Sequence, residues 1–220
     1  MKPNRIIFVR HGQSEGNVDV GAYTRKPDYA IELTDKGKEQ AFEAGRRIAE
    51  LVGTDSCFFY VSPYFRTRQT SLEIEKSLSI FKKYEDPRLR EQEWGKGSLF
   101  PDNSTREEFI KERDEVGHFY YRFAGGESCA DVFDRVSDFL NTLFRDFEKP
   151  DYPRNAVIVT HGMTMRVLLM RWLHYTVEEF ELLRNPKNCG MYNLVLNNEK
   201  DKFELDGDPS RYAKRSNLYV

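Results

Sequence analysis

The feature that most constrains this chain is the segment 5–17, RIIFVRHGQSEGN. Ile6, Ile7, Phe8 and Val9 form a short run of β-branched and aromatic residues, which reads as a buried strand. The run stops abruptly at Arg10-His11-Gly12 and continues into Gln13, Ser14, Gly16 and Asn17. In α/β folds, ligands bind just outside the carboxyl ends of such strands. An arginine and a histidine therefore arrive together where a site is expected.

The pattern recurs. Residues 58–61 form a second apolar run that ends at Ser62-Pro63, with Arg66 at the start of a helical stretch over 64–78. Residues 156–159 form a third, which opens into Thr160-His161-Gly162 and a helix over 163–173. Between these lie helices with readable starts. Thr34 serves as an N-cap ahead of Ala41, Ala44, Ile48 and Leu51. Ser104-Thr105-Arg106-Glu107 fits a capping box for a helix to about residue 115. Ser128, with Asp131 three residues on, caps the strongest amphipathic pattern: Val132, Val136, Phe139, Leu140, Leu143 and Phe147. A short helix over 177–183 and strands at 80–86, 191–196 and 202–205 complete the reading. The segments 21–31, 89–100 and 117–126 read as loops. Strands alternate with helices, and no repeat or linker interrupts them. The expectation is one α/β domain over residues 1–207, a three-layer α/β/α sandwich with a mixed, mostly parallel sheet. A polar, basic tail, 208–220, follows it.

Charge and cysteine usage narrow the function classes. The 34 basic and 36 acidic residues leave a net charge of −2, which offers no bulk attraction to nucleic acid or to an anionic membrane. Any anion site must be a local cluster. The three cysteines, Cys57, Cys129 and Cys189, show no C-x-x-C spacing and fit a reducing compartment better than a disulfide framework or zinc site. No signal-peptide pattern opens the chain, and no apolar run reaches the ~18 residues of a membrane span. A cytoplasmic location is expected.

Strand ends of one sense share one edge of a sheet. Arg10, His11, Arg66 and His161 are thereby expected to form a single site, joined by Asn17 from the first loop. Two guanidinium forks suit a tetrahedral dianion. The backbone N–H groups of Gly12 and Gly162 could add donors. A neutral imidazole held in such a clamp is a competent nucleophile toward phosphorus. The polar loop with Glu91 and Glu93 offers a carboxylic acid to protonate the departing oxygen, and chemistry alone does not choose between the two. No metal is expected: His11-x-x-x-Glu15 lacks a second histidine at i+4, and no carboxylates cluster beside His161. Arg68 reads as solvated, and His174 as packed or as capping a helix end. His118 reads as structural more than as part of a pocket mouth.

Arg10-His11-Gly12 after a strand, Arg66 after Ser62-Pro63, Leu89-x-Glu91-x-x-x-Gly95, and Thr160-His161-Gly162 after a strand together resemble the histidine phosphatase superfamily. The resemblance runs from Ile6 to about Leu196. It implies a phosphoglycerate mutase-like fold, phosphorylation of His11 during turnover, and no cofactor. It also implies that Arg10, Asn17, Arg66 and His161 hold the phosphoryl group and that Glu91 is the proton donor. Trp94 closes the glutamate motif. The expected substrate is a small phosphate ester. Cofactor-dependent phosphoglycerate mutases carry a Thr-Gly-Trp segment where this chain reads Gly21-Ala22-Tyr23. They also carry a longer insertion with paired arginines, whereas residues 95–122 here are shorter and hold no Arg-Arg pair. These departures favour a phosphatase over a mutase primed by 2,3-bisphosphoglycerate, and the intact set His11, Arg10, Arg66, Glu91 and His161 argues against a non-catalytic phospho-ligand module. Specificity is expected from the loops at 21–31, 96–100 and 117–123, with Trp94, Tyr120 and Tyr121 as candidates.

Overall fold

The computed structural model describes residues 2–95 and 103–206. Six strands make one sheet: β1 (Arg5–Arg10), β2 (Cys57–Val61), β3 (Ile80–Glu85), β4 (Asn155–Thr160), β5 (Met191–Asn197) and β6 (Lys202–Leu205). Their order is β3-β2-β4-β1-β5-β6. β1, β2, β3 and β4 are mutually parallel, β5 runs antiparallel to β1, and β6 antiparallel to β5. The sheet is therefore mixed and mostly parallel.

The three continuous apolar runs occupy the central strands, where both faces are covered. Ile6, Phe8, Phe58, Tyr60, Ala156 and Ile158 face one layer, built from α6 (Cys129–Phe147), α7 (Gly162–Leu173) and α8 (Val177–Leu182). Ile7, Val9, Phe59, Val61, Val157 and Val159 face the other, built from α3 (Asp35–Val52) and α4 (Phe65–Glu75). Period-two alternation within each strand thus feeds two separate cores. β3 lies at the sheet edge, with every residue after Ile80 exposed. An edge strand needs no apolar run, which is why its sequence signal is weak.

The remaining helices are α1 (Glu15–Val18), α2 (Ala22–Arg25) and α5 (Asn103–Val116). The segment 21–31, expected to be irregular, contains α2 and a 3-10 turn at Asp28–Ala30. One-turn elements are too short to show a hydrophobic period, so sequence pattern misses them. Two of the three expected caps are present: the Thr34 hydroxyl accepts from Gly37 N–H, and Ser128 and Asp131 form a capping box. Ser104, expected to cap the third helix, lies inside α5, which begins at Asn103. Residues 96–100 and the tail 208–220 lie outside the described residues. No helix among the described residues is long and apolar enough to cross a membrane.

Parallel register is what assembles the site. Arg10 pairs with Thr160 across β1 and β4, and Val61 with Val159 across β2 and β4. His11 and His161, each the next residue along its strand, therefore leave the sheet level with one another, and Ser62 leaves it one residue earlier, level with Arg10 and Thr160. The loop after β1 is pressed onto the first turn of α3. A Cβ on Gly12 would lie 2.3 Å from the Gly37 carbonyl oxygen, and one on Gly37 would lie 2.0 Å from the Gln13 carbonyl oxygen. Only glycine allows this approach on either side.

Candidate active site

His11 is buried at the mouth of the β1 strand end. Its backbone N–H donates to Thr160 at 2.9 Å, which extends the β1–β4 pairing by one residue. Its ring Nδ1 lies 2.7 Å from the Gly12 carbonyl oxygen. A carbonyl only accepts, so the proton sits on Nδ1 and the Nε2 lone pair is left free. Burial, reinforced by the charges of Arg66 and Arg10, pushes the imidazole well below its ordinary value. The ring is neutral, in the tautomer that leaves the Nε2 lone pair unbonded.

Arg10 and Arg66 flank it. The Arg10 Nη1 donates to the Pro186 carbonyl at 2.7 Å. The Arg66 Nη1 donates to both the backbone carbonyl and the carboxylate of Asp28, at 2.7 and 2.8 Å. Tyr64 packs against the Arg66 guanidinium, 5.0 Å from its ring centroid. These partners orient both guanidiniums from behind. The Nε atoms of Arg10 and Arg66 are buried and have no partner. Desolvated N–H donors left unpaired are costly in a native structure, and an anion between them satisfies both. The Asn17 Oδ1 is engaged by Ser14 N–H at 3.1 Å and by the Asn188 amide at 2.9 Å, so its Nδ2 is the end available to a ligand.

His161 is fully buried behind His11, with the two ring centroids 5.2 Å apart. Its Nε2 lies 2.8 Å from the Ser62 hydroxyl, and its Nδ1 is a buried atom without a partner. Burial and the Arg66 charge push this imidazole well below its ordinary value too. The Ser62 hydroxyl thus occupies Nε2, and Nδ1 is a further unpaired polar atom in the same region.

Glu91 and Glu93 are separated by their settings. The Glu91 carboxylate accepts from Met163 N–H at 3.3 Å, Thr164 N–H at 3.2 Å and the Thr164 hydroxyl at 3.3 Å. It thereby caps the N-terminus of α7, whose own N-cap residue, His161, makes no side-chain cap bond. The loop that carries it is pinned along its backbone: Thr160 bonds the Leu89 carbonyl and Thr164 the Arg90 carbonyl, both at 2.6 Å. Arg135 bonds the carbonyls of Arg88 and Glu91 at 2.6 and 3.1 Å, and is itself held by Glu127. Glu93 is exposed, and the bond its carboxylate accepts is a long one, from Gly95 N–H at 3.4 Å.

A cleft of about 230 Å³ is walled by Arg10, His11, Asn17, Arg66, Glu91 and Trp94 among the expected residues; His161, fully buried behind His11, is not among its walls. Val20 is a cleft residue with no sequence signal; Tyr23 and Asp28 fall in the segment 21–31 expected to set specificity without being singled out in it, and Glu93 is the expected alternative to Glu91. Asp28 follows Pro27 in a segment without periodicity, and nothing in its spacing ties it to Arg66. Tyr120 and Tyr121 do not line the cleft. Tyr120 is exposed, and Tyr121 is buried with its hydroxyl donating to Glu112 at 2.9 Å. The expected Gly12 donor is also spoken for, since its N–H bonds the Thr70 hydroxyl at 3.0 Å. Arg68, expected to be solvated, is half exposed but paired with Glu85 at 2.5 Å. His118 is buried with Nδ1 3.6 Å from Glu181, away from the cleft walls. His174 closes α7 in the left-handed conformation at φ 57°. Among the described residues no three His, Cys, Asp or Glu side chains gather as metal ligands.

A family model of the histidine phosphatase superfamily (branch 1) matches residues 6–208. The chain is 47% identical to phosphoglycerate mutase-like protein AT74 of Arabidopsis thaliana, over 93% of this chain and 72% of that protein. It is 27% identical to the broad-range acid phosphatase DET1 of Saccharomyces cerevisiae, over 99% of this chain and 90% of that protein. Among solved structures, a mycobacterial glucosyl-3-phosphoglycerate phosphatase in complex with VO3 shares the fold, with a TM-score of 0.68 and 22% identity over 92% of this chain and 97% of that one.

Proposed function

The chain belongs to the histidine phosphatase superfamily, and from that premise we propose that it hydrolyses small phosphate monoesters through a phosphohistidine formed on His11. The observation that carries this reading is the Nδ1 bond of His11 to the Gly12 carbonyl. It leaves a neutral Nε2 lone pair between two guanidiniums whose Nε donors are unpaired. The substrate phosphate seats on Arg10, Arg66, Asn17 and His161. His11 Nε2 attacks phosphorus in line, the bond from phosphorus to the ester oxygen breaks, and Glu91 gives its proton to that oxygen. The arginines take up the charge that spreads over the equatorial oxygens. Glu91 then removes a proton from water, the hydroxide attacks phosphorus, and the phosphorus–nitrogen bond breaks. Inorganic phosphate leaves, and His11 and Glu91 are restored to their starting protonation states.

The reading favours hydrolase over mutase because the chain lacks the Thr-Gly-Trp segment and the paired arginines of the mutases. The three cysteines are unpaired and buried, which supports a cytoplasmic location. The deciding experiment is His11→Ala against p-nitrophenyl phosphate. Turnover is expected to vanish, together with the alkali-stable, acid-labile phosphoryl label that the native protein takes up during turnover. Turnover that survives the substitution overturns the mechanism.

A further inference from the structure

The cleft is electrostatically lopsided. Among the described residues its walls carry two cations, Arg10 and Arg66, and both lie at the phosphoryl end beside His11. Arg66 already shares its charge with Asp28, at 2.8 Å. The remaining charged wall residues are the carboxylates of Glu91 and Glu93. With a phosphate dianion on the two guanidiniums, and Asp28 and Glu93 ionised, the described walls and the phosphate together are net negative whether Glu91 holds its proton or not. A second negative charge on the leaving group finds no partner among these walls, and a positive one does.

Three of the described wall residues carry groups that attract a cation. Glu93 presents an exposed carboxylate whose acceptor capacity is mostly unspent. Next to it in the chain, Trp94 is braced by Phe123, with ring centroids 4.9 Å apart, so it is held as a wall. Tyr23 lines the same cleft from α2, seated where a Cβ on Gly16 would come within 2.5 Å of its hydroxyl. An ammonium is attracted both by a carboxylate and by the faces of Trp and Tyr rings.

We propose that this site selects phosphate monoesters of amino alcohols, with the ammonium of the leaving group held by the Glu93 carboxylate and the rings of Trp94 and Tyr23. The proposal rests on the hydrolase reading above. The chemistry is unchanged: the ester bond at phosphorus breaks, Glu91 protonates the alcohol oxygen, and the ammonium keeps its charge and leaves with the free amino alcohol.

The test uses three esters of similar size: O-phosphoethanolamine (cationic), propyl phosphate (neutral) and phosphoglycolate (anionic). The alcohols differ in intrinsic leaving ability. The informative quantity is therefore how each kcat/KM ratio moves between the native protein and Glu93 variants. Glu93→Gln is expected to lower phosphoethanolamine relative to propyl phosphate about two- to fivefold. Glu93→Lys is expected to lower it further and to raise phosphoglycolate relative to propyl phosphate by a similar factor. Ratios that do not move with Glu93 overturn the proposal while leaving the hydrolase reading intact. Failure of the native protein to hydrolyse all three esters and p-nitrophenyl phosphate overturns the hydrolase reading, and this proposal with it.

Discussion

Gly37→Ala tests how the fold holds His11 in place. Gly37 lies in the first turn of α3, and the added Cβ would sit 2.0 Å from the Gln13 carbonyl oxygen and 2.9 and 3.0 Å from its carbonyl carbon and amide nitrogen. Real Cβ contacts essentially never fall below 3.0 Å, so loop and helix must separate by about 1 Å. All three obstructing atoms are backbone, and no side-chain rotation relieves them. The separation strains the bonds that dock the loop: Thr34 N–H to the Gln13 carbonyl at 2.9 Å, Gln13 N–H to Gln40 at 2.9 Å, and Gly12 N–H to Thr70 at 3.0 Å. Overpacking of this kind costs ~1–3 kcal/mol, and each weakened bond adds up to about 1 kcal/mol. Alanine's better helix propensity returns about 1 kcal/mol. The expected balance is a loss of about 2 kcal/mol in urea unfolding. The Gly12 carbonyl that fixes the His11 tautomer moves with the loop, and a misplacement of about 1 Å at a reacting group costs on the order of 100-fold in rate. The variant should therefore lose both stability and kcat with p-nitrophenyl phosphate. A variant about 1 kcal/mol more stable than the parent, with unchanged kcat, would show that helix propensity alone operates and that the close approach does not matter.

Three further outcomes follow from the same geometry. Glu91→Gln should slow esters of poor leaving groups far more than p-nitrophenyl phosphate, steepening the dependence of kcat on leaving-group pKa; an equal loss across the series refutes the acid role. His11 and His161 are neutral when folded and return to about 6.5 when unfolded. The unfolded chain therefore binds more protons below that pH, and stability falls on acidification by up to ~1.4 kcal/mol per pH unit for each histidine. Equal urea midpoints at about pH 7.5 and about pH 5.5 would contradict this. Tyr121→Phe removes the bond to Glu112 and should cost about 1 kcal/mol in stability while leaving kcat/KM ratios across substrates unchanged; altered ratios would restore Tyr121 to the pocket.

Much of the architecture was legible because burial on both faces leaves a strong mark. β1, β2 and β4 are the central strands, and a strand covered on two sides must be apolar at successive positions. Each run stops where the chain leaves the sheet. Arg10-His11, Ser62 and His161 therefore stood out at strand ends, and parallel pairing made those ends neighbours. Thr34 and Ser128 were legible for a local reason, since an N-cap answers to backbone groups within one turn. What tertiary structure alone decided was how groups far apart in sequence meet. The bond from Arg66 to Asp28 spans 38 residues, and that from Thr164 N–H to Glu91 spans 73. Neither separation follows a helical or strand period, so no local rule selects Asp28 from its segment or Glu91 over Glu93. The choice of Glu91 comes from the docking of its loop onto the start of α7. The removal of Tyr120 and Tyr121 from the cleft likewise depends on how residues 117–123 cross the surface. The order of the strand ends brought two neutral histidines and two arginines to one edge of the sheet; the packing of its loops set the tautomer of His11 and the partner of Arg66.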